Sequence, residues 1–142
     1  MGRFVFREDI AIADCAVEVW GNSLGDLLAT AARAVAELMA DPETIVEHES
    51  RPVMLTADSE ELLLFDWLSE ILLIKDRDRL ICPRAEVRVS DVKPLRLTAT
   101  LFGDVVDPER TRRNLDVKGI TMHELRVARE GKEWHGQFVV DL

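Results

Sequence analysis

Two aspartates in apolar surroundings are the residues whose type and position best suit chemistry in this sequence. Asp14 lies in the uncharged stretch Ala-Ile-Ala-Asp-Cys-Ala-Val, and Asp141 follows a Phe-Val-Val run and precedes Leu142. Burying an unpaired carboxylate is energetically costly, so each position needs a compensating partner. Two carboxylates and a terminal carboxylate at Leu142 are hard oxygen donors that suit Ca²⁺ or Mg²⁺. The residues alone favour a simpler alternative, in which Asp14 caps a turn and Asp141 is a solvated chain end.

Other reactive side chains form no recognised catalytic pattern. The sequence contains no P-loop, GxGxxG, GxSxG or HExxH motif. Of His48, His123 and His135, none lies at close zinc-ligand spacing to another histidine or to a cysteine. His123 is interpreted as a polar strand residue, and Cys15 and Cys82 as structural residues next to apolar sequence. The residues therefore present no nucleophile constellation of a known enzyme class.

The chain is acidic. Its 142 residues include 18 Lys and Arg against 27 Asp and Glu, which gives a formal net charge of −9. Because phosphate backbones require clustered cations, direct high-affinity binding of nucleic acid is not expected. A metal cation or a basic protein partner fits this charge better. The one local basic patch, Arg110, Arg112 and Arg113, is interpreted as a solvated loop, with contact to RNA or to an acidic partner as the alternative.

Length and composition predict one domain, spanning residues 1–142. Hydrophobic residues make up 47% and charged residues 32% of the chain, which is typical of a folded soluble protein. The N-terminal segment carries charges at Arg3, Arg7, Glu8 and Asp9, unlike a signal peptide. No apolar run approaches the ~20 residues that a membrane-spanning helix needs. A cytoplasmic protein without a membrane segment is therefore expected.

Two helices are predicted from apolar periodicity and from capping residues. Ser23 begins the first helix, and Asp41-Pro42 ends it. Asp58 is predicted as the N-cap of the second helix, with Glu61 completing a capping pair, and this helix is expected to end near Ile74. Apolar side chains cover most of the circumference of the second helix, which is typical of a helix packed on two sides. The alternative is that part of it lines a partner surface.

The rest of the chain is rich in alternating, strand-like sequence. Strands are predicted over residues 3–8, 16–20, 51–57, 84–92, 95–102, 117–128 and 133–140. The last two are predicted to form a hairpin around Glu130-Gly131-Lys132, and a charged connection precedes them. This arrangement indicates an α+β domain, with two main helices packed on a mostly antiparallel β-sheet.

Five motifs, in this order along the chain, resemble those of the archease family. Ala13 to Gly21 resembles the family's strand with an Ala-Asp pair at its start and an aromatic residue and Gly at its end. Ser23-Leu24 then opens the first helix, and Glu61 to Leu72 resembles the second helix. Val117 to His123 resembles the family's Val-Lys-Ala-(Ile/Val)-Thr-Tyr-His motif, and the final Val-Val-Asp-Leu resembles the end of the family's chain.

The resemblance implies a fold, a partner and a set of site residues. Archease assists the RtcB-type RNA ligases, which join a 2′,3′-cyclic phosphate or 3′-phosphate to a 5′-hydroxyl through a guanylylated histidine of the ligase. A protein cofactor that promotes this guanylylation and multiple turnover, in tRNA splicing or RNA repair, is therefore implied. The implied divalent metal, Ca²⁺ or Mg²⁺, is held by Asp14, Asp141 and Leu142, and Lys118 and His123 are implied to act in activation of the partner.

Four residues depart from the family pattern. Ala11-Ile12 stands where the family has His-Thr, Ala16 where it has Gly, and Met122 where it has Tyr. Two other classes of function are alternatives. A small metal-dependent hydrolase would use Asp14 and Asp141 directly, although no general base is evident in the sequence. A metal-free interaction module is favoured if the change at Ala11-Ile12 has abolished the metal site.

Overall fold

Seven strands and two α-helices form the part of the chain that the computed structural model describes, residues 2–7 and 14–142. A single 3-10 turn, Pro42–Thr44, follows the first helix. The elements are β1 (Arg3–Arg7), β2 (Asp14–Gly21), α1 (Leu24–Met39), β3 (Glu49–Ala57), α2 (Glu60–Asp78), β4 (Leu80–Val89), β5 (Leu95–Val105), β6 (Gly119–Glu130) and β7 (Glu133–Asp141).

The strands are divided between two antiparallel sheets. One sheet has the order β1-β2-β7-β6, and the other has the order β3-β5-β4. The first sheet therefore joins strands from both ends of the chain, whereas the second is built from the middle of the chain alone. The α+β class with two helices is confirmed, and the single sheet of the prediction is replaced by two. All the paired strands named here run antiparallel.

The two helices begin at serine caps. Ser23 is extended, and its hydroxyl accepts a 3.0 Å hydrogen bond from the amide of Asp26, as the sequence predicts for α1. For α2 the predicted cap is wrong by one residue, because Ser59 rather than Asp58 accepts from the amide of Leu62 at 3.2 Å. The helix also continues beyond Ile74 to Asp78. Among the described residues, neither α-helix combines the length and the apolar composition needed to cross a bilayer.

The core lies between the helices and the sheets. Both helices contact both sheets, as expected for a helix with a wide apolar face. The buried side chains of α2 are those of Leu63, Leu64, Trp67, Leu68, Ile71, Leu72 and Ile74. Leu62 and Leu73 are 41% and 52% exposed, so a narrow strip of α2 faces solvent. The indole of Trp67 is fully buried, and its N–H donates to the backbone carbonyl of Leu28 at 2.8 Å.

Strand β6 is interrupted by a bulge. Its register with β7 shifts between Thr121 and Arg126, and Glu124 within this stretch has a φ of 55°. The amide side chain of Gln137 donates to the carbonyl of Glu124 at 3.1 Å, which holds the bulge against β7. Bulges of this kind bend a strand and redirect its side chains. The exposed residues Met122 and His123 lie in this stretch.

Candidate functional site

Asp14 and Asp141 lie directly opposite each other on adjacent strands. Asp14 is the first residue of β2 and Asp141 the last of β7, and the two are partners in the antiparallel register. Directly opposed residues of an antiparallel pair place their Cβ atoms about 4.5–5.5 Å apart and on the same face of the sheet. The adjacency that the sequence motifs predict for this pair is therefore present.

The pair lies on the face of the sheet that points away from the core. Successive side chains of a strand alternate between the two faces. Cys15 and Val140, the neighbours of the pair, are almost fully buried at 1% and 0% exposure. Asp14 and Asp141 therefore project to the other side, where Asp14 is half-buried and Asp141 is exposed. This placement keeps both carboxylates accessible to a cation while their strands stay anchored in the core.

Lys118 lies beside this pair, at the start of the third strand. Gly119 is the β6 partner of Asp141, so three strands present residues of interest at the same edge. The backbone N–H of Lys118 donates to the carbonyl of Asp141 at 2.8 Å, and the Lys118 side chain is exposed. Leu142 packs its side chain against the hydrophobic core, which fixes the backbone next to Asp141.

His123 is not brought into this group. It lies in the β6 bulge and is exposed, and its backbone N–H donates to the hydroxyl of Thr121 at 3.2 Å. Within residues 2–7 and 14–142, its side chain contacts neither Asp14 nor Asp141 through a hydrogen bond or an ion pair. His123 therefore lies in the bulge, four positions along β6 from Gly119, the residue that pairs with Asp141.

The donor set of the pair fits a hard cation only in part. Two carboxylates on one face match the oxygen ligands that Ca²⁺ and Mg²⁺ prefer. No group of three His, Cys, Asp or Glu side chains able to hold a metal is found among the described residues. Among the described residues a third donor would be a main-chain oxygen, and the family resemblance implies Leu142 for this place. The Ala11-Ile12 pair, which stands where the family has His-Thr, lies outside the described residues.

A second charged cluster on the same sheet face was not anticipated from the sequence. Glu18 lies four positions along β2 from Asp14. Its carboxylate accepts a hydrogen bond from the Arg7 guanidinium group at 2.8 Å, and it lies 3.1 Å from Nε2 of His135. The hydrogen bond from Arg7 is the main cause that lowers the pKa of Glu18, and the contact with His135 adds to it. The ring of Trp20 stacks on His135 with centroids 4.9 Å apart. Only strand pairing unites these residues, so sequence spacing gives no signal of the cluster.

Cys82 is a buried structural residue. It is 4% exposed, and this burial raises the pKa of its thiol to about 12. Since the thiolate is the reactive form of cysteine, Cys82 is a poor nucleophile at neutral pH. This agrees with the interpretation of Cys82 from the sequence.

Comparison with known proteins identifies relatives along nearly the whole chain. The model of the archease protein family matches residues 6–142. The protein archease of Sulfurisphaera tokodaii is 30% identical over 142 residues, covering 100% of both chains. The protein archease of Methanopyrus kandleri is 32% identical over 133 residues, covering 92% of this chain and 94% of its own.

Solved structures support the same relationship. The solution structure of a Methanobacterium thermoautotrophicum protein superimposes with a TM-score of 0.80 at 28% identity, and the match covers 99% of this chain and 98% of that chain. The crystal structure of an archease of Thermotoga maritima, described as a possible chaperone, gives a TM-score of 0.62 at 22% identity over 93% of each chain, and it shows the likeness of fold. With a family match from residue 6 to the last residue, this chain belongs to the archease family.

Proposed function

We propose that this protein is a cofactor of an RtcB-type RNA ligase, promoting guanylylation of the ligase and its multiple turnover. The protein is not itself the catalyst, and it works in the cytoplasm with its ligase in tRNA splicing or RNA repair. One observation carries the proposal: the in-register pair Asp14 and Asp141 lies on an accessible sheet face of an archease-family fold, with the Lys118 backbone bonded to Asp141 at the same edge. The described residues near this pair offer no activated nucleophile, which fits a helper better than an enzyme.

In this proposal Asp14 and Asp141 hold a divalent cation, Ca²⁺ or Mg²⁺, with Leu142 supplying a terminal carboxylate. When bound, the cation supplies a localised positive charge that can be shared with phosphate or carboxylate oxygens of the partner. The strands fix the two aspartates in place, so little ordering of the backbone is needed for binding. The backbone N–H of Lys118 donates to the carbonyl of Asp141, which places the Lys118 backbone at the same edge of the sheet.

The overall charge supports association with a basic partner. The formal net charge is −9, and a ligase site that binds RNA and a nucleotide needs basic groups near the phosphates. Complementary fields of this kind raise the rate of encounter and favour correct orientation. An acidic protein that carries a cation is therefore steered towards such a site, while free RNA is repelled by it.

Reconstitution with the RtcB-type ligase from the same source tests the proposal. Guanylylation of the ligase is measured with labelled GTP, and turnover with a 3′-phosphate RNA and a 5′-hydroxyl RNA. The protein should raise both, and Asp14→Asn and Asp141→Asn should lose most of the effect. Asp91→Asn, which alters an exposed loop carboxylate, serves as the matched control and should retain it. A wild-type protein that leaves guanylylation and turnover unchanged would show the proposal to be wrong.

A metal-free interaction module is the second candidate, because the described residues contain no set of three side-chain ligands. The two candidates differ in one measurement. If the stimulation survives chelation and the Asp141→Asn change but requires Lys118, the protein acts through contacts alone. If protein that is stripped of metal and freed of chelator before mixing fails to stimulate the ligase, and preloading it with Ca²⁺ or Mg²⁺ restores stimulation, the metal form is correct.

A further inference from the structure

A small cleft lies between the C-terminal ends of the two helices and the segment 106–118. Its volume is about 220 Å³, and its apolar lining includes Met39, Ile81 and Leu115. Met39 and Ile81 are buried at 2% exposure each, whereas Leu115 is 46% exposed at the rim. The cleft thus has a buried apolar floor that opens to solvent on one side. We refer to it below as the helix-end cleft.

The two acidic residues of the helix-end cleft, Asp76 and Asp116, both form ion pairs with Lys75. Lys75 places its ammonium group 3.1 Å from both the Asp76 and the Asp116 carboxylates, and it also donates to the carbonyl of Val117 at 2.8 Å. The Lys75 side chain is only 10% exposed, so this arrangement is held in place by the surrounding structure. The two carboxylates therefore have a shared cation and leave the other basic residues of the cleft unneutralised.

Arg79 and Arg113 are those remaining basic residues, and both line the helix-end cleft. Across residues 2–7 and 14–142, neither guanidinium group takes part in a hydrogen bond or an ion pair. Their neighbours behave differently, since Arg77 pairs with Asp78, Arg110 with Asp107 and Arg112 with Asp41. The cleft therefore presents two exposed arginines that make no ion pair with the described residues, in a protein whose formal net charge is −9.

The backbone at Arg79 gives a second, independent observation. Arg79 is the C-cap of α2, with φ 55° and ψ 36° in the left-handed region. Gly or Asn usually occupies such a position, because a larger side chain is strained there. Backbone strain of this kind is concentrated at functional sites. The left-handed backbone makes arginine costly at this position, and an interaction of its guanidinium group would offset that cost.

The size of the cleft decides the class of ligand. Pockets for small-molecule ligands usually measure about 300–1,000 Å³. At about 220 Å³ the helix-end cleft is smaller, which favours one or two anchoring side chains of a protein partner over a whole small-molecule ligand. We propose that the helix-end cleft docks an acidic segment of a partner protein, with an apolar side chain on the floor and adjacent carboxylates on Arg79 and Arg113. Paired N–H groups of arginine are well suited to hold carboxylates in this way.

The proposal is tested on the intact protein with a peptide probe, so that no ligase is needed. The probe is the blocked pentapeptide Gly-Leu-Glu-Glu-Gly, titrated into the 15N-labelled protein and followed by NMR. Saturable shifts are expected at the backbone amides of Leu115 and Asp116. The neutral probe Gly-Leu-Gln-Gln-Gly should bind at least about tenfold more weakly, because charge-assisted hydrogen bonds are lost.

Arg79→Gly separates binding from folding. Glycine relieves the left-handed backbone, so this variant should melt at a higher temperature than the wild type and yet bind the acidic probe at least about tenfold more weakly. Arg113→Gln should weaken binding as well, and Arg112→Gln, whose side chain faces Asp41, is the matched control and should bind as the wild type does.

Three outcomes would overturn the proposal. The first is the absence of saturable shifts at the cleft amides, and the second is equal binding of the acidic and neutral probes. The third is a titration in which inorganic phosphate shifts the same amides with an affinity equal to that of the acidic probe. The cleft would then be a general anion site. None of these outcomes bears on stimulation of the ligase, so the proposed function is tested separately.

Discussion

Trp67 of α2 donates its indole N–H to the backbone carbonyl of Leu28 in α1, at a distance of 2.8 Å within the core. The tryptophan is fully buried, and no buried side-chain N or O atom of the described residues lacks a hydrogen-bond partner. This bond connects the two helices by a directional contact in addition to apolar packing. It therefore fixes the position of α2 along α1, which apolar side chains alone specify less strictly.

Trp67→Phe should destabilise the protein by roughly 1–3 kcal/mol, because the hydrogen bond is lost and the smaller ring leaves a cavity. Chemical denaturation monitored by far-UV circular dichroism measures the change. Trp134→Phe is the matched control, since Trp134 is only half-buried and its indole makes no hydrogen bond to the described residues. Equal losses for the two variants would show that the bond to Leu28 contributes little.

Added Ca²⁺ or Mg²⁺ should stabilise the wild-type protein if Asp14 and Asp141 share a cation. At a hundredfold excess over Kd, binding to the folded form alone raises the free energy of unfolding by about 2.7 kcal/mol, seen as a rise of several degrees in Tm. Asp141→Asn should lose most of this rise. Without metal the same variant should be slightly more stable than the wild type, because like charges directly opposite each other destabilise a sheet.

The control for this experiment is Asp91→Asn, which should keep the full response to cation. Chelator-treated protein is used for the starting point, and melting is followed by differential scanning calorimetry. A wild type whose Tm does not respond to millimolar cation has no functional site at this pair.

Lys118→Ala should reduce stimulation of the ligase at least several-fold while changing stability by no more than about 0.5 kcal/mol, as is usual for exposed side chains. The backbone N–H that bonds to Asp141 is retained in alanine, so the edge of the sheet should be unaffected. Guanylylation of the ligase and the melting temperature are measured on the same preparation. Lys132→Ala, at the exposed turn between β6 and β7, is the control. Full stimulation by Lys118→Ala would remove this residue from the site.

Asp78 should govern part of the acid sensitivity of the fold. Hydrogen bonds from Arg77, and secondly from Arg51 of β3, lower the pKa of its carboxyl from the usual 3.8 to about 2. A lowered pKa means that the ionised form is favoured in the folded state, so its stabilising effect is present above pH 3.8 and is lost as the pH falls towards 2. Asp78→Asn should therefore show a shallower loss of Tm between these pH values. Asp91→Asn should follow the wild-type curve, and a wild-type slope for Asp78→Asn would contradict the assignment.

Local patterns in the sequence predict the helices well and their ends less well. The cap at Ser23 follows from its residue type and from the apolar spacing after it. At α2, Asp58 and Ser59 are both good caps, and the geometry of one turn decides between them, which sequence spacing cannot resolve. The extension of α2 to Asp78 also depends on the surroundings, since Arg51 of β3 contacts Asp78 at 3.2 Å.

Pairing between distant strands is the part that local patterns do not determine. The opposition of Asp14 and Asp141 joins residues at the two ends of the chain, and only the resemblance of motifs pointed to it. The division into two sheets, the bulge around Glu124 and the cluster of Glu18 with His135 have no local signature at all. Each arises from register between strands, which is set by packing of the whole domain.

The segment 106–118 has no helix or strand of its own, yet several of its amides are tied to α1. The N–H groups of Asn114 and Leu115 donate to the carbonyls of Met39 and Leu38 at 2.8 and 3.0 Å, and Asp41 donates to the carbonyl of Arg112 at 2.8 Å. Amide hydrogen exchange along this segment should therefore be uneven. Asn114 and Leu115 are expected to exchange slowly, together with the end of α1, while Arg113, whose N–H donates to no acceptor among the described residues, exchanges fast. The opening of this segment and the fraying of α1 then become a single cooperative event.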